Sequence, residues 1–497
     1  MSDNTISRIN GYLNKIRSGE NIRPILTELK EYLKTLPEGL GSGEIAGELA
    51  DGLKIYLGHD DPKVRKNTVQ ILKIISDGKS LMPLTEAYLK EETLYNRASY
   101  VEALSSLDIS PVRDLLTTRF ESLRRGTYEE SEKKHIIEEG HALACLFRNG
   151  RRHIFTGHDK VNEVVLLTNR NFKSVTAEEL GSIPHREFTA GVMAKTRHID
   201  RILPVRTFSE LLFVPDTKTV SANPGEAAGE IINGGILDYL KERHDNPDDP
   251  FYFRIEYRCR DPKNKASYEK KLAAGLEYLS RFDLINSTDD YEIEFRLIEN
   301  SSGSFQFLVD MRTLPDKRFT YRKSVISAGM KPSLAALLVR LSKEHIRDNA
   351  AVLDAFCGSG IFLVERDLFR STRLMYGIDI FGEAVLAARN NISNAGLSSK
   401  TEIINRDITD FRHQYRFDEI YADMPQITQN KDRSSIGDLY EVFLKKAGEL
   451  LEEDGRLFIY THNRDILKRS ARSGIFRIAA EFEISKIEEA YYYILER

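Results

Sequence analysis

The sequence has 497 residues, of which 41% are hydrophobic and 30% charged, with a formal net charge of −4. This length predicts about three domains, and the composition excludes both a largely disordered chain and a uniformly basic nucleic-acid coat. The three cysteines, Cys145, Cys259 and Cys357, are too widely spaced to predict a disulfide framework or a thiolate zinc cluster. Because no apolar run approaches the ~18 residues that a membrane span needs, we expect a cytoplasmic protein without membrane partners.

Residues 1–150 predict one helix after another. Asp61 followed by Pro62 is typical of a helix start, with the aspartate as cap and the proline in the first turn. A pattern of one arginine and two aliphatic residues recurs after 32 residues (Arg65, Val69, Leu72; then Arg97, Val101, Leu104). The segment DDPKVRKNTVQIL resembles a HEAT repeat, which implies a helical docking domain with a protein partner, although an irregular helical bundle fits the same pattern.

Two mixed segments follow. Residues 160–215 predict a small α+β domain of ferredoxin-like type, and residues 216–315 predict a second α+β domain. The expected strands are Glu163–Thr168, Leu211–Val214, Phe251–Arg258, Tyr291–Ile298 and Phe305–Val309, and the expected helices are Thr176–Leu180, Glu226–Arg243 and Ser267–Arg281.

Residues 316–497 alternate between predicted strands and helices. The strands are Val352–Asp354, Met375–Asp379, Glu402–Asn405, Glu419–Asp423, Leu457–Thr461 and Tyr491–Leu495, and the helices are Lys331–Glu344, Ile361–Asp367, Gly382–Ala395, Asp438–Leu450 and Asp465–Ser473. Such alternation predicts a doubly wound, Rossmann-like sheet covered by helices. Ligands of these sheets bind at the carboxyl ends of the strands, so the loops at those ends are the candidate site.

Three acidic residues end successive strands. In the first loop, Asp354–Gly360, small residues allow a ligand to approach the backbone closely. The second loop begins at Asp379, 19 residues after Gly360, a spacing at which a carboxylate can receive ribose hydroxyls. The third begins at Asp407, which could accept hydrogen bonds from a base amino group.

These loops resemble the cofactor site of the class I S-adenosylmethionine-dependent methyltransferases. The resemblance implies S-adenosylmethionine as cofactor, with Gly358–Gly360 under its methionine portion, Asp379 on its ribose and Asp407 at its adenine. The cofactor-binding residues it implies are Asp354, Phe356, Gly358, Ser359, Gly360, Asp379, Ile380, Asp407, Ile408 and Asp423. No metal site is expected.

The fourth loop, Asp423–Gln426, resembles the motif of methyltransferases that act on exocyclic base amines. In that motif an acidic side chain and a backbone carbonyl, here those of Asp423 and Met424, accept the hydrogens of the amine and direct its lone pair to the methyl donor. The implied catalytic residues are Asp423, Met424, Pro425 and Gln426. Gln426 departs from the family, which has an aromatic residue there. Tyr421, Tyr460 or an aromatic residue of another domain could supply the missing ring.

The segment before this domain is basic. Residues 312–347 contain nine Lys/Arg and two acidic residues, a local charge of +7 suited to phosphate contacts. Residues 160–497 resemble the THUMP-containing guanine-N2 RNA methyltransferases, through RFTYRKSVISAGMKPSLAALLVRLS and YEIEFRLIENSSGSFQFLVDM. The resemblance implies a structured RNA partner, tRNA first, and phosphate-facing side chains at Lys195, Arg197, Arg201, Arg206, Arg254, Arg258, Arg260, Arg318, Arg322 and Lys323.

The resulting hypothesis is an RNA methyltransferase that modifies guanosine N2 of tRNA. Two alternatives remain open from the sequence. One is an enzyme of the same fold that methylates rRNA guanine N2 or adenine N6. The other is a non-catalytic RNA-binding or scaffold protein with a degenerate fourth loop.

Overall fold

A computed structural model describes the chain except residues 1–2, 37–43, 149, 261, 328 and 427–432. The chain forms two compact units, each built from two separate stretches of sequence. The first unit contains residues 1–156 and 215–313, and the second contains residues 157–214 and 314–497.

The first stretch of the first unit is helical. Its helices are α1 (Asp3–Ser18), α2 (Ile22–Lys34), α3 (Glu44–Lys54), α4 (Pro62–Ile75), α5 (Leu81–Lys90), α6 (Leu94–Leu104), α7 (Arg113–Arg125) and α8 (Glu130–Leu146). Helices α2, α4, α6 and α8 pack against one another in series. As expected, Asp61 caps α4, since its carboxylate accepts a hydrogen bond from the Lys63 N–H at 2.8 Å. The aliphatic members of the repeated pattern are buried in the core of this array.

Residues 157–214 form the small domain of the second unit. It contains β1 (Asn162–Thr168), α9 (Lys173–Leu180), β2 (His185–Phe188), β3 (Gly191–Thr196) and β4 (Phe208–Phe213). The strands pair antiparallel in the order β2-β3-β1-β4. The first and last strands were expected from the sequence; β2 and β3 were not, and the exposed residues of β2 explain why its apolar pattern is weak.

Residues 215–313 return to the first unit. They form β5 (Thr219–Val220), α10 (Pro224–Asn233), α11 (Ile236–Lys241), β6 (Phe251–Arg258), α12 (Lys265–Leu279), β7 (Leu284–Asn286), β8 (Ile293–Glu299) and β9 (Phe305–Met311). Here the strand order is β9-β8-β6-β7, with β5 beside β9. The single helix expected over residues 226–243 is two helices, because Gly235 takes a φ of +79° that interrupts it.

Residues 314–497 form the Rossmann-like domain. Its elements are α13 (Pro332–Leu341), β10 (Ala350–Asp354), α14 (Ile361–Phe369), β11 (Thr372–Asp379), α15 (Gly382–Asn394), β12 (Thr401–Asn405), β13 (Phe417–Asp423), α16 (Arg433–Leu450), β14 (Leu451–Thr461), α17 (Arg464–Ser470), β15 (Arg477–Ser485) and β16 (Ala490–Glu496). The sheet order is β12-β11-β10-β13-β14-β16-β15, parallel through β14 and antiparallel in the last two strands. This confirms the predicted α/β architecture and adds β15, an edge strand along which the apolar residues Ile478, Ala480, Phe482 and Ile484 alternate with exposed ones.

In the first unit the helical array shares its core with the following α+β segment. Tyr252, Phe282 and Ile285 are buried in the same hydrophobic cluster as the helices. Arg124 of α7 forms an ion pair with Asp283. Residues 1–150 and residues 215–313 therefore share one hydrophobic core.

Gly140 tests this shared core. A Cβ at this position of α8 would overlap the buried Phe282 ring, so Gly140→Ala should lower the free energy of unfolding by about 1–3 kcal/mol. Denaturant titration of the full chain would measure it. Gly11→Ala is the control: nothing lies near that position of α1, so alanine should stabilise by up to about 1 kcal/mol. An equal increase in the free energy of unfolding in both variants would contradict the packing of Phe282 against Gly140.

Candidate functional site

A cavity of about 570 Å³ opens in the second unit at the carboxyl ends of the central strands. It lies next to the point between β10 and β13 where the strand order reverses. Its volume suits a small-molecule ligand. The sequence-predicted residues that line it come from the first, second and fourth loops: Asp354, Phe356, Gly358, Ser359, Asp379, Asp423, Met424, Pro425 and Gln426. The fold thus gathers three loops, separated in sequence, around one cavity.

The first loop needs its glycines for two different reasons. Gly358 takes a φ of +49° and lies beside Ile326, where a Cβ would come within 3.4 Å of that side chain. Gly360 takes a φ of +75° at the start of α14, where a Cβ would lie 3.2 Å from Ala388. Gly360 is therefore required for packing against α15 and, unlike Gly358, does not line the cavity.

Asp379 joins the first and second loops. Its Oδ2 accepts a hydrogen bond from the Gly358 N–H at 2.9 Å, and its Oδ1 accepts one from the Phe381 N–H at 2.9 Å. A carboxylate has about four acceptor sites, so two remain for ligand hydroxyls. The neighbouring Ile380 is exposed and outside the cavity, whereas Phe381, which the sequence reading missed, lines it.

Burial perturbs the carboxyls of Asp354 and Asp423. It raises the pKa of Asp354 to about 8, and the charges of Asp423 and Asp379 add to that rise, while the Phe356 amide partly opposes it. Burial also raises the pKa of Asp423 to about 6, although nearby His462 opposes the change. A cationic ligand would stabilise the ionised forms that burial disfavours, so the cavity favours positively charged ligands.

The side chains of the fourth loop differ in burial. Met424 is buried in the core and its N–H donates to the Tyr460 carbonyl at 2.9 Å. The Pro425 carbonyl accepts a hydrogen bond from Asn463 Nδ2 at 3.2 Å. Gln426 is exposed at the cavity rim. Among the described residues no group hydrogen-bonds to the Asp423 carboxylate, which leaves it available to a ligand.

Aromatic side chains form the wall beside Asp423. Tyr421 stacks on Phe458 with a centroid separation of 4.4 Å, and its hydroxyl donates to Glu419 at 2.9 Å. Tyr460 pairs in register with Asp423 on the adjacent parallel strand, so the two side chains lie on the same face of the sheet. Both tyrosines that the sequence offered as replacements for the missing ring line the cavity; Tyr421 is held by its partners, and Tyr460 is the one next to the carboxylate.

The segment before α13 contributes a part of the site that the sequence reading missed. Ile326, Gly329 and Met330 line the cavity. The fully buried Asn391 of α15 fixes this segment, because its Nδ2 donates to the carbonyls of Ser324 and Ser359, each at 2.9 Å. A polar residue in an otherwise apolar helix face was the available sequence signal.

The third loop does not reach the cavity. Asp407 accepts hydrogen bonds from the Thr409 N–H and hydroxyl at 2.9 and 2.8 Å, as the cap of a short 3₁₀ turn. Ile408 is buried in the core below the sheet. The adenine contacts expected of these two residues stay a prediction.

Two residues expected to face phosphate have structural partners instead. Arg206 forms a bidentate pair with Glu365 at 2.7 Å, and Arg318 donates to the carbonyls of Val205 and Phe208 while pairing with Asp316. Both arginines bind the small domain to the Rossmann-like domain within the second unit. The expectation that these two arginines face RNA phosphates is therefore corrected.

The other predicted RNA contacts differ in accessibility. Of the predicted contacts in the second unit, four are exposed: Lys195, Arg197, Arg201 and Lys323. Arg322 is half-buried, and no group of the described residues hydrogen-bonds to its Nε. In the first unit Arg254 pairs closely with Glu294 at 2.6 Å, while Arg258 and Arg260 remain exposed beside Glu256 and Glu299. The described residues include no group of side chains that could hold a metal ion. No helix in the described ranges is long and apolar enough to cross a membrane.

Comparison with known proteins shows what this chain is similar to. Residues 320–486 match the family model for the RMKL-like methyltransferase domain, UPF0020. The tRNA (guanine(6)-N2)-methyltransferase of Methanocaldococcus jannaschii is 27% identical, over 34% of this chain and 54% of that protein. The U6 snRNA (guanine-N(2))-methyltransferase THUMPD2 of Mus musculus is 26% identical, over 41% of this chain and 39% of that protein. The chain therefore spans about half or less of these curated relatives.

Solved structures show the fold. TrmN from Thermus thermophilus matches with a TM-score of 0.50 at 18% identity, covering 68% of this chain and 99% of TrmN. SMU.472 in complex with SAH matches with a TM-score of 0.51 at 16% identity, covering 68% of this chain and 98% of SMU.472. Both matches show the fold alone, which includes a Rossmann-like sheet like that of residues 314–497.

The raised pKa of Asp354 predicts that the difference in stability between the wild type and Asp354→Asn depends on pH. A carboxyl whose pKa is raised on folding stabilises the fold when protonated, and this contribution is lost as the pH rises from about 4 towards 8. Asp354→Asn should therefore gain stability relative to wild type with rising pH, by at most about 1.4 kcal/mol per unit, and level off above pH ~8. Urea titrations between pH 5 and 9 would measure this difference.

Asp367→Asn is the matched control. Burial raises the pKa of Asp367, but hydrogen bonds from Lys400 and Thr372 outweigh it and leave the pKa below its ordinary value. Its stability difference from wild type should therefore stay constant over the same pH range. A constant difference for Asp354→Asn as well would contradict the burial argument.

Proposed function

We propose that this chain is an S-adenosylmethionine-dependent RNA methyltransferase that acts on guanosine N2, with tRNA as the first candidate substrate. The observation that carries the proposal is the convergence of the first, second and fourth loops on one cavity at the switch point of a methyltransferase-type sheet. The RNA substrates follow from the relatives, which act on tRNA and U6 snRNA.

The cavity fits the cofactor in shape and charge. S-Adenosylmethionine, when bound, supplies an electrophilic methyl group on a cationic sulfonium. The three cavity carboxyls suit a ligand that carries a sulfonium and an ammonium group. Asp379 retains acceptor sites for ribose hydroxyls, and Gly358 leaves space against the backbone.

Asp423 would position the reacting amine. An exocyclic amine is a poor nucleophile because its lone pair is delocalised into the ring. The ionised carboxylate and the Met424 backbone carbonyl would accept its two hydrogens and orient the lone pair. These acceptors are held in place by the sheet and by the Met424 and Pro425 backbone hydrogen bonds, so little reorganisation is needed. The target base must leave its stack to reach them.

Tyr460 would supply the aromatic face that Gln426 lacks. Its ring lines the cavity beside Asp423, in the adjacent strand and in register. Stacking of a base on an aromatic side chain is worth about 1–3 kcal/mol. This arrangement favours a catalytic protein over the scaffold alternative.

The remaining segments would serve RNA binding and docking. We assign phosphate contacts to Lys195, Arg197, Arg201 and Lys323, which are exposed on the unit that carries the cavity. Residues 215–313 are the proposed THUMP-like module, and the serially packed helices support a HEAT-like array for a protein partner. A cytoplasmic location stays a prediction.

Asp379→Ala should weaken S-adenosylmethionine binding by about 1–3 kcal/mol, because it leaves ligand hydroxyls and the Gly358 amide without their acceptor. Isothermal titration calorimetry on the full chain would measure this. Asp348→Ala is the control, since Asp348 is exposed before the amino end of β10 and lies outside the cavity lining. Unchanged affinity in Asp379→Ala would remove that residue from the ligand site.

Asp423→Asn should reduce single-turnover methyl transfer to bulk tRNA by about 10²-fold or more, with a much smaller effect on cofactor affinity. The wild-type rate should also rise with pH through about 6, because only the ionised carboxylate is purely an acceptor. The variant should lack this rise.

Nucleoside mass spectrometry of the product would identify the base. A product other than N2-methylguanosine would move the proposal to the adenine alternative. Wild-type turnover in Asp423→Asn would remove Asp423 from the reaction. Cofactor binding without transfer to any tRNA, rRNA or U6 snRNA would favour the scaffold alternative.

A further inference from the structure

The first unit contains a cysteine, a histidine and a glutamate arranged in a line. Cys145 and His141 lie one turn apart on α8, with Cys145 Sγ 3.5 Å from His141 Nε2. His141 Nδ1 lies 2.7 Å from Oε1 of Glu277 on α12. The line thus joins the helical array to the α+β segment that packs against it.

Glu277 determines how the imidazole is oriented. Its side chain is only 5% exposed, and Oε1 also accepts a hydrogen bond from the Asn286 N–H at 2.8 Å. With Nδ1–H donating to this carboxylate, Nε2 is directed at the Cys145 sulfur. A protonated His141 can therefore donate from Nε2–H to a Cys145 thiolate while its Nδ1–H stays paired with Glu277.

Electrostatics in the cluster act in the same direction. The hydrogen bond with Cys145 and that with Glu277 raise the pKa of His141 to about 10, against the opposing effect of burial. A protonated imidazole next to a thiol stabilises the thiolate, which is the nucleophilic form.

The thiol is also accessible. Cys145 is exposed and lines an open groove of about 1630 Å³ between α8 and α12. Cys357, by contrast, is buried, and burial raises its pKa well above the ordinary value. The contact with His141 and access to solvent therefore coincide at Cys145.

Within the first unit, Cys259 lies beyond disulfide range of Cys145. The Ala144 carbonyl accepts a hydrogen bond from Tyr252, the second residue of β6, whereas Cys259 follows the last residue of that strand. The intervening strand is roughly 20 Å long, well beyond the separation that a disulfide can bridge. A disulfide between these two cysteines is therefore excluded.

We propose that Cys145 is an activated thiol that undergoes exchange with low-molecular-weight disulfides, with the His141 imidazolium as the partner of its thiolate and Glu277 as the positioning residue of His141. The thiol proton leaves to water, the Nε2–H of His141 donates a hydrogen bond to the thiolate, and the thiolate attacks one sulfur of the disulfide. A new S–S bond forms as the old one breaks, and the departing thiolate takes a proton from water. The product is a mixed disulfide in the groove and one free thiol.

Oxidised glutathione is the probe for this site. The full-length protein would be incubated with it at neutral pH, and the adduct at each cysteine followed by peptide mass spectrometry. Cys145 should react at least about tenfold faster than Cys259 in the same molecule. His141→Gln should slow the adduct at Cys145 by about tenfold or more and leave the Cys259 rate unchanged.

Glu277→Gln separates positioning from structure. A glutamine can still accept from Nδ1–H but carries no charge, so the rate at Cys145 should fall to an intermediate value while the melting temperature changes little. Cys145→Ser provides the blank for the peptide assignment. A folded His141→Gln protein that reacts at the wild-type rate would overturn the proposal. So would equal rates at Cys145 and Cys259 in the wild-type protein, a comparison that needs no variant to fold.

Discussion

The gathering of three carboxyls in one buried cavity is the constraint on which the candidate site depends. These carboxyls come from separate loops and meet at the carboxyl ends of parallel strands. Burial raises the pKa of Asp354 and of Asp423, because it disfavours their ionised forms. A cationic ligand stabilises those ionised forms, so the burial that destabilises the ionised carboxyls without a ligand also makes the site selective for a cation.

A buried ion pair supports the strand that carries the reactive carboxylate. Arg366 of α14 and Glu419 of β13 are both almost fully buried and form two contacts of 2.7 Å. Tyr421 adds a hydrogen bond to Glu419, and Arg366 also donates to the carbonyls of Arg347 and Arg370. With their hydrogen-bonding groups satisfied, these charges tie the helix after the first loop to the strand before the fourth. Asp354 and Asp423 themselves end neighbouring strands, β10 and β13, which pair directly.

Charged residues also join the small domain to the Rossmann-like domain within the second unit. Arg206 pairs with Glu365, Arg340 with Glu179 at 2.6 Å, and Lys343 with Glu178 at 2.9 Å. Much of the basic connector is therefore occupied by protein partners. A local charge of +7 overstates the surface left for phosphate, since several of its cations are neutralised in the fold.

The sequence by itself determined the Rossmann-like domain, its loops and the helical character of residues 1–150. Those features depend on local periodicity, on glycine positions and on acids at strand ends, all of which are visible along the chain. The break at Gly235 escaped because a single backbone angle leaves no periodic signal. Strand β15 was missed although Ile478, Ala480, Phe482 and Ile484 lie at every second position, the pattern typical of a half-buried strand.

Only the tertiary structure decided which charged side chains are free to act. Arg206 and Lys195 look alike in sequence, but one faces a buried glutamate and the other faces solvent. The same holds for Asp407 and Asp423, both at strand ends, of which one caps a turn and the other lines the cavity. The line from Cys145 to Glu277 joins residues 132 positions apart and was invisible for the same reason. A residue's partners across the fold set its charge and its exposure, and these partners come from packing rather than from neighbours in sequence.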